Sequence, residues 1–484
     1  ASTSAGTIYY YCIVSASGNG CNPVTSDVVA VTIIADPSIS SQPSGFTECI
    51  DGTRSLSVTA TGGTPSLGYQ WYSNTTNSTS GATLIGGATN ATYTPPSSSA
   101  GTKYYYCVVS ASGNGCGSVN SSIVAVIVVA DPTISSQPVA ITQCIGGTSA
   151  LSVTATGGTP SLTYQWYSNV SNANSGGSII TGATSSTYTP SSLVAGTVYY
   201  YCVVSASGDG CASTTSNAVA VIVQTAPTAG SIGSDQTICY NGDPAAFTSS
   251  SDGTGDGLIS YIWQSSLNNS SWSPISGATS STYDPPSGLT ATTYYRRITV
   301  STLNTVACQS TASNVITVIV QSVPTAGTIA ASQTICNGGD PAAFTSSADG
   351  TGNAGSTISY IWQSSLNNST WSDIGGATSS TYDVPSGLTA TTYYRRITVA
   401  TLNGVACQSA ATSAVTVTVQ LVPTAGSIAA SQTICYNGDP AAFTSSSNGT
   451  GSGVISYIWQ SSTDNSNFST IASQNAATYD PPTG

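Results

Sequence analysis

Tyr104-Tyr105-Tyr106-Cys107-Val108-Val109-Ser110-Ala111-Ser112-Gly113-Asn114-Gly115-Cys116 decides the architecture, because the chain writes this stretch three times. Its β-branched and aromatic run reads as a strand, and the Gly-rich close reads as a turn. Copies begin at Tyr9 and Tyr199, so Cys12, Cys107 and Cys202 stand 95 residues apart, as do Cys21, Cys116 and Cys211. Cys49, Cys144 and Cys239 keep the same step of 95, and Cys336 and Cys435 follow at 97 and 99. A fixed period near a hundred residues means tandem copies of one small domain, each large enough for its own core.

Composition removes several function classes. Only 5% of the 484 residues are charged, the net charge is -12, and His and Met are absent. Six Lys and Arg residues are too few to neutralise a phosphate backbone, which excludes nucleic acid as a partner. Without His the chain lacks the commonest general base and metal ligand. The longest apolar run, Ile123 to Ala130, suits a buried strand and is far short of a membrane span. With no signal peptide and no initiating Met, the chain reads as a mature or excised piece of a longer product. Thirteen cysteines at regular spacing predict disulfides and an oxidising, extracellular or cell-surface setting.

Two repeat types are visible. Type one spans 36–130 and 131–225, each copy opening on Asp-Pro at Asp36 and Asp131. Type two spans 226–322 and 323–421 and begins again over 422–484, opening on Pro-Thr-Ala-Gly. Residues 1–35 match the last two strands of a repeat, and 422–484 match the strands that precede them. About seven short strands per repeat, with turns every 8–12 residues, predict an all-β sandwich. Short Pro-containing joints predict semi-rigid linkage, and so a rod or filament of very roughly 150–200 Å from strands rising ~3.3 Å per residue.

Val58, Trp71 and Tyr105-x-Cys107 carry a resemblance to immunoglobulin-like domains. In that family a B-strand Cys stands where Val58 is, a C-strand Trp packs on the core, and a Tyr precedes the F-strand Cys by two. The resemblance implies core positions for Trp71, Trp166, Trp263, Trp362 and Trp459, and no usual intersheet disulfide. In type two, Arg297 and Arg396 align near the F-strand Cys. The pattern "SDQTICYNGDPAAFTSS…SYIWQSS…TTYYRRITV" resembles the Ig-like and PKD-like repeats of very large Bacteroidota surface proteins, gliding-associated adhesins among them. That resemblance implies an adhesive or structural role at a bacterial surface.

Type-two repeats hold two cysteines each, which gives Cys239–Cys308 and Cys336–Cys407 as the simple pairs. Carried to type one, these become Cys49–Cys116 and Cys144–Cys211, at separations of 67 and 67 against 69 and 71. Cys12, Cys107 and Cys202 are then core thiols facing the Trp. The competing arrangement is a hairpin bridge, Cys107–Cys116, with Cys49 free. Cys21 and Cys435 are left over, one near each end, and counted from one copy into the next they are 70 residues apart. Two explanations fit: the chain is a window on a longer array, or subunits polymerise head to tail by strand addition.

Other motifs carry less. The Tyr triplets place at least one ring outward, for cross-strand packing or for stacking on a surface polysaccharide. Tyr294-Tyr295-Arg296-Arg297 and Tyr393-Tyr394-Arg395-Arg396 put one Arg of each pair against a carboxylate or an aromatic face, with the inward one undetermined. Asp243, Asp340 and Asp439 recur in Asp-Pro turns, which is ordinary turn chemistry and not a calcium loop. Asn-x-Ser/Thr triplets at Asn74, Asn77, Asn268, Asn269, Asn367 and Asn368 mark exposed tips that could take glycans. No catalytic or metal site and no cofactor is read. The leading expectation is a non-catalytic extracellular stalk or filament that contacts itself, or the rest of a longer chain, end to end. A carbohydrate-binding array is the alternative.

Overall fold

The computed structural model describes residues 4–483, and every regular element in that span is a β-strand. By contacts, the chain falls into two compact units. One comprises Ala1–Pro227 with Gly255–Ile259 and Val300–Gln309; the other comprises Thr228–Thr254, Ser260–Thr299 and Ser310–Gly484. No helix among the described residues is long and apolar enough to cross a membrane.

The first unit contains the type-one repeats, and 36–130 shows their plan. Ser38–Ser41 pairs antiparallel with Thr59–Thr61, and Leu56–Ser57 with Thr92–Tyr93, forming the smaller layer. The larger layer runs Thr83–Leu84, Leu67–Asn74, Gly101–Ala111, Val124–Val129 and Phe46–Cys49. Phe46–Cys49 lies parallel to Val124–Val129, with Cys49 beside Val129. Between the layers sit Leu56, Val58, Trp71, Tyr105, Cys107, Val109 and Val126. This two-layer Greek-key arrangement, with the Trp strand beside the Tyr-x-Cys strand, is an immunoglobulin-like sandwich.

Trp71 and Cys107 face each other in register, as do Trp166 and Cys202. All four are fully buried. Each Trp donates its indole N–H to a backbone carbonyl, Trp71 to Asn90 and Trp166 to Ser185, both at 3.0 Å. That bond lets the ring's polar edge be buried without loss.

The second unit holds type two, seen most fully over 323–421. Thr357–Ser365 pairs with Thr392–Leu402, and Trp362 stands opposite Arg396. Thr392–Leu402 then turns directly into Val405–Ala411, with Leu402 opposite Val405. Asn403 and Gly404 make that two-residue turn at φ of 51° and 81°. Asn-Gly tolerates this left-handed pair, which matches the twist of a hairpin; across the longer Ser-Gly-Asn-Gly-Cys loop of type one only Val108 and Val109 pair, with Asn120 and Val119.

The two end pieces are incomplete sandwiches. Gly6–Tyr10 pairs with Val29–Ile33, and Ile13–Val14 with Val24–Thr25. At the other end Ser427–Ile428 pairs with Ser445–Ser447, Gln460–Ser461 with Ser469–Thr470, and Phe443 bridges Tyr479. Trp459, expected in a core, is only half-buried: among the described residues no strand takes beside it the place that Thr392–Leu402 takes beside Trp362.

Candidate functional site: the stapled joint between repeats

The disulfides do not follow the expected pairing. Cys49 is bonded to Cys211, Cys144 to Cys308 and Cys239 to Cys407, across 162, 164 and 168 residues. Each bond joins one repeat to the next. The expected pairs Cys49–Cys116, Cys144–Cys211, Cys239–Cys308 and Cys336–Cys407 are all absent, as is the competing Cys107–Cys116 bridge.

The parallel pairing of Phe46–Cys49 with Val124–Val129 explains why. Cys49 ends a strand that runs alongside Val124–Val129, so it lies at the pole where the chain leaves the repeat. Cys116 lies in the turn before that strand, at the pole where the chain entered. About ten extended residues separate the poles, roughly 30 Å, whereas a disulfide needs Cα atoms within about 7 Å. The exit pole of one repeat instead meets the F–G hairpin of the next. There the Cα atoms are 4.8 Å apart for Cys49–Cys211 and 5.6 Å for each of the other two bonds.

Hydrogen bonds accompany every staple. At the first, Cys49 N–H donates to the Asp209 carbonyl at 2.9 Å, and the Thr53 N–H and hydroxyl donate to the Asp209 carboxylate. Gly210 sits there at φ 75°, and a Cβ on it would come within 2.7 Å of the Ile50 carbonyl oxygen. At the second, Gln224 Nε2 donates to the Val306 carbonyl at 3.0 Å and Asn304 Nδ2 to Thr142 Oγ1 at 3.1 Å. The third repeats this with Gln321 to Val405 at 2.9 Å and Asn403 to Thr237 at 3.0 Å. Thr225 N–H donates to the Asp256 carboxylate at 2.6 Å, and Ser322 N–H donates to Asn353 Oδ1 at 2.9 Å. The bonds from the Thr225 N–H and hydroxyl hold the Asp256 carboxyl below its ordinary value.

Glu48 sets the first joint apart. It is fully buried, accepts from Arg54 N–H at 3.2 Å through one oxygen, and leaves the other unpaired. Burial pushes its carboxyl above the ordinary range, and the nearby Asp209 adds to this, against a backbone bond from Arg54 and that residue's charge. Gln143 occupies the equivalent position in the next repeat.

The remaining expected residues are distributed as follows. Cys107 and Cys202 are buried free thiols, and burial pushes both up to about 11. Cys12, expected in a core, is exposed on the 4–35 hairpin, which has no opposing layer. Cys21, Cys336 and Cys435 are free and exposed, and Cys116 is free and half-buried. Trp263 and Trp362 are fully buried, like Trp71 and Trp166.

The inward arginine is now identified. Arg297 and Arg396 are fully buried beside the core Trp, whereas Arg296 and Arg395 face outward. Arg396 donates to the Ser380 carbonyl at 2.7 Å and the Ala348 carbonyl at 3.1 Å, and its guanidinium lies 4.4 Å from the Tyr360 ring. Arg297 donates likewise to Ser281 at 2.6 Å and Ser251 at 3.0 Å. Burial pulls both guanidiniums below their ordinary value, opposed by the neighbouring Tyr and Asp. On the outer face Arg296 and Arg395 each lie 4.2 Å over Trp272 and Trp371. Tyr106 and Tyr201 stack on Tyr72 and Tyr167 at 5.1 Å. No group of three acidic, His or Cys side chains that could hold a metal occurs among the described residues.

Among solved structures, the chain is similar to a three-domain I-band fragment of titin (13% identity, TM-score 0.33, 59% of this chain and 99% of that one). It is also similar to the three N-terminal domains of the bacteriophage RB49 highly immunogenic outer capsid protein (14%, TM-score 0.33, 59% and 99%). The N-terminal four Ig domains of Dscam1 isoform 6.9 match at 13%, TM-score 0.25, over 80% and 99%. No curated protein matches. One family model matches five times, over residues 40–130, 133–225, 228–322, 325–421 and 424–483. The chain belongs to the family described as Domain of unknown function (DUF8696), of which it is a tandem array of five repeats.

Proposed function

We propose that the protein is a non-catalytic extracellular structural array, a stalk or filament in which covalent staples fix each Ig-like repeat to its neighbour. The observation that carries this is the recurrence of one bond type, strand-end cysteine to next-repeat hairpin cysteine, in three successive places. Such bonds are wasted on domains meant to swing freely, and they persist only where thiols are oxidised. On the outer face Trp272 and Trp371 are covered by Arg296 and Arg395, and Tyr72 and Tyr167 stack on Tyr106 and Tyr201, which favours the structural role over sugar stacking at these positions. Adhesion at a bacterial surface belongs to the same proposal.

Atomic-force imaging of the purified chain, before and after reduction, tests it. Reduction is expected to shorten the persistence length several-fold while leaving the sandwiches folded by circular dichroism. Unchanged stiffness after complete reduction would remove the staples from the mechanism.

A further inference from the structure

The staples change the shortest covalent route from one repeat to another. Cys49 and Cys407 stand 358 positions apart along the chain. Through the bonds Cys49–Cys211 and Cys239–Cys407, the backbone that remains between them is 211–239, a span of 28 positions. That span holds Val219–Gln224, the last strand of the second type-one repeat. It also holds Ser231–Ile232 and Gln236–Cys239, the first strands of the type-two repeat that follows. The strands that carry Trp166, Cys202, Trp263 and Arg297 all lie outside it.

A pulled chain carries tension along its shortest covalent route, and every longer route stays slack. Tension between Cys49 and Cys407 therefore runs through two staples and the single backbone segment that joins them. In an unstapled repeat, tension would enter by the first strand and leave by the last, shearing one against the other. Here each loaded strand is held at both ends, by a disulfide on one side and the inter-repeat linker on the other. Val219–Gln224 lies between Ile141–Cys144 and Gly196–Ala206, and Gln236–Cys239 lies parallel to Val318–Gln321. Neither loaded strand is drawn past these neighbours. Cys144–Cys308 stands beside the route, not on it. A path through it runs 95 residues from Cys49 to Cys144 and, after crossing to Cys308, 69 back to Cys239.

We propose that the array has a load-bearing function as an extension-limited tether, in which tension bypasses the sandwich cores and unfolding a repeat releases almost no length. This deepens the structural-array reading and rests on it. Fully extended, the 28 positions of the stapled route reach about 100 Å, whereas the 358 positions of the unstapled chain reach about 1,300 Å. The bypass is a property of bonds that cross between repeats. Bonds confined to single repeats, Cys49–Cys116 and its equivalents, would leave three loaded segments of 28 positions each, 116–144, 211–239 and 308–336. Crossing bonds leave one. The sandwiches then act as spacers that hold the loaded strands straight, and their buried Trp strands carry no tension.

The test is single-molecule stretching of the whole 484-residue chain, held by tags fused to both ends, before and after a phosphine reductant. The oxidised chain should stop about 1,200 Å short of the reduced one, and only the reduced chain should show unfolding steps of about 300 Å per repeat. The sharpest arm compares two double variants. Cys144→Ser/Cys308→Ser should leave the oxidised length unchanged although a staple is gone, whereas Cys49→Ser/Cys211→Ser should lengthen it by about 500 Å. Peptide mapping of the same oxidised samples reports which bonds are present. Two results overturn the proposal and leave the array reading standing. One is a longer Cys144→Ser/Cys308→Ser chain with its other two staples mapped; the other is an unsubstituted chain that reaches the reduced length with all three mapped. An oxidised chain only about 1,000 Å shorter than the reduced one, as bonds within single repeats require, or a map without the three staples, sinks the array reading and this inference with it.

Discussion

Cys144 is bonded to Cys308, 164 residues further along the chain, with the two Cα atoms 5.6 Å apart. The bond ties the exit pole of one sandwich to the entry hairpin of the next, and it has a counterpart on either side. Its consequence is thermodynamic coupling between repeats that would otherwise unfold one by one.

Removing a staple should uncouple its neighbours. The Cys239→Ala/Cys407→Ala variant loses a cross-link closing a loop of 168 residues, worth up to about 5 kcal/mol on the chain-entropy scale. Differential scanning calorimetry should show an added, lower-temperature transition, with near-native secondary structure kept below it. A single unshifted transition would show that the joint is held by other contacts.

The two arginines of each pair should behave oppositely. Arg396→Ala leaves the Ser380 and Ala348 carbonyls unpaired inside the core and should cost about 3–5 kcal/mol in urea unfolding. Arg395→Ala loses a bond to Gln363 and the contact with Trp371, and should cost about 1 kcal/mol. Equal costs would contradict the assigned register.

Glu48 makes the first joint pH-sensitive. Its carboxyl is raised above the ordinary 4.5 in the folded state, so the fold binds more protons there than the unfolded chain does. That contribution is therefore complete below the ordinary value and is lost as pH rises through the raised one. Glu48→Gln, which copies Gln143, should raise the melting temperature at pH 7 and leave it little changed at pH 4. A variant less stable than the parent at pH 7 would refute this.

Thiol reactivity should sort by burial. Cys107 and Cys202, at about 11, carry roughly a hundred-fold less thiolate at pH 8 than a thiol at 9.0, and no solvent reaches them. Iodoacetamide should label Cys336 within minutes and Cys107 only on unfolding, as read by peptide mass. Prompt labelling of Cys107 in the native chain would deny it a core position.

Gly210→Ala should weaken the first joint. The position combines a φ of 75° with backbone contact across the joint, so a Cβ cannot be absorbed by side-chain movement. A fall in the fraction of Cys49–Cys211 formed under a glutathione buffer is the expected readout, and an unchanged fraction would show that the hairpin can shift.

Much of the sandwich was legible because local rules and packing agree. The buried Trp, the Tyr-x-Cys strand and the missing B-strand cysteine at Val58 each act through neighbours within one repeat. The identity of the inward arginine was not legible, because Arg395 and Arg396 are adjacent in sequence and only the strand register assigns them to opposite faces.

The cysteine partners show the division most sharply. By itself the sequence determined the period, the two repeat types, the all-β sandwich and the fact that cysteines recur at two fixed places in each repeat. It could not determine which copies join. In a periodic chain, a strand-end cysteine finds an equivalent hairpin cysteine one repeat away as readily as in its own repeat, and spacing favours the nearer. Only the tertiary structure decided, through the parallel pairing of Phe46–Cys49 with Val124–Val129, and of Gln333–Cys336 with Val415–Gln420, that sends the strand-end and hairpin cysteines of a repeat to opposite poles. A bond a few ångströms long cannot cross a sandwich lengthwise, so each cysteine bonds to the neighbouring domain.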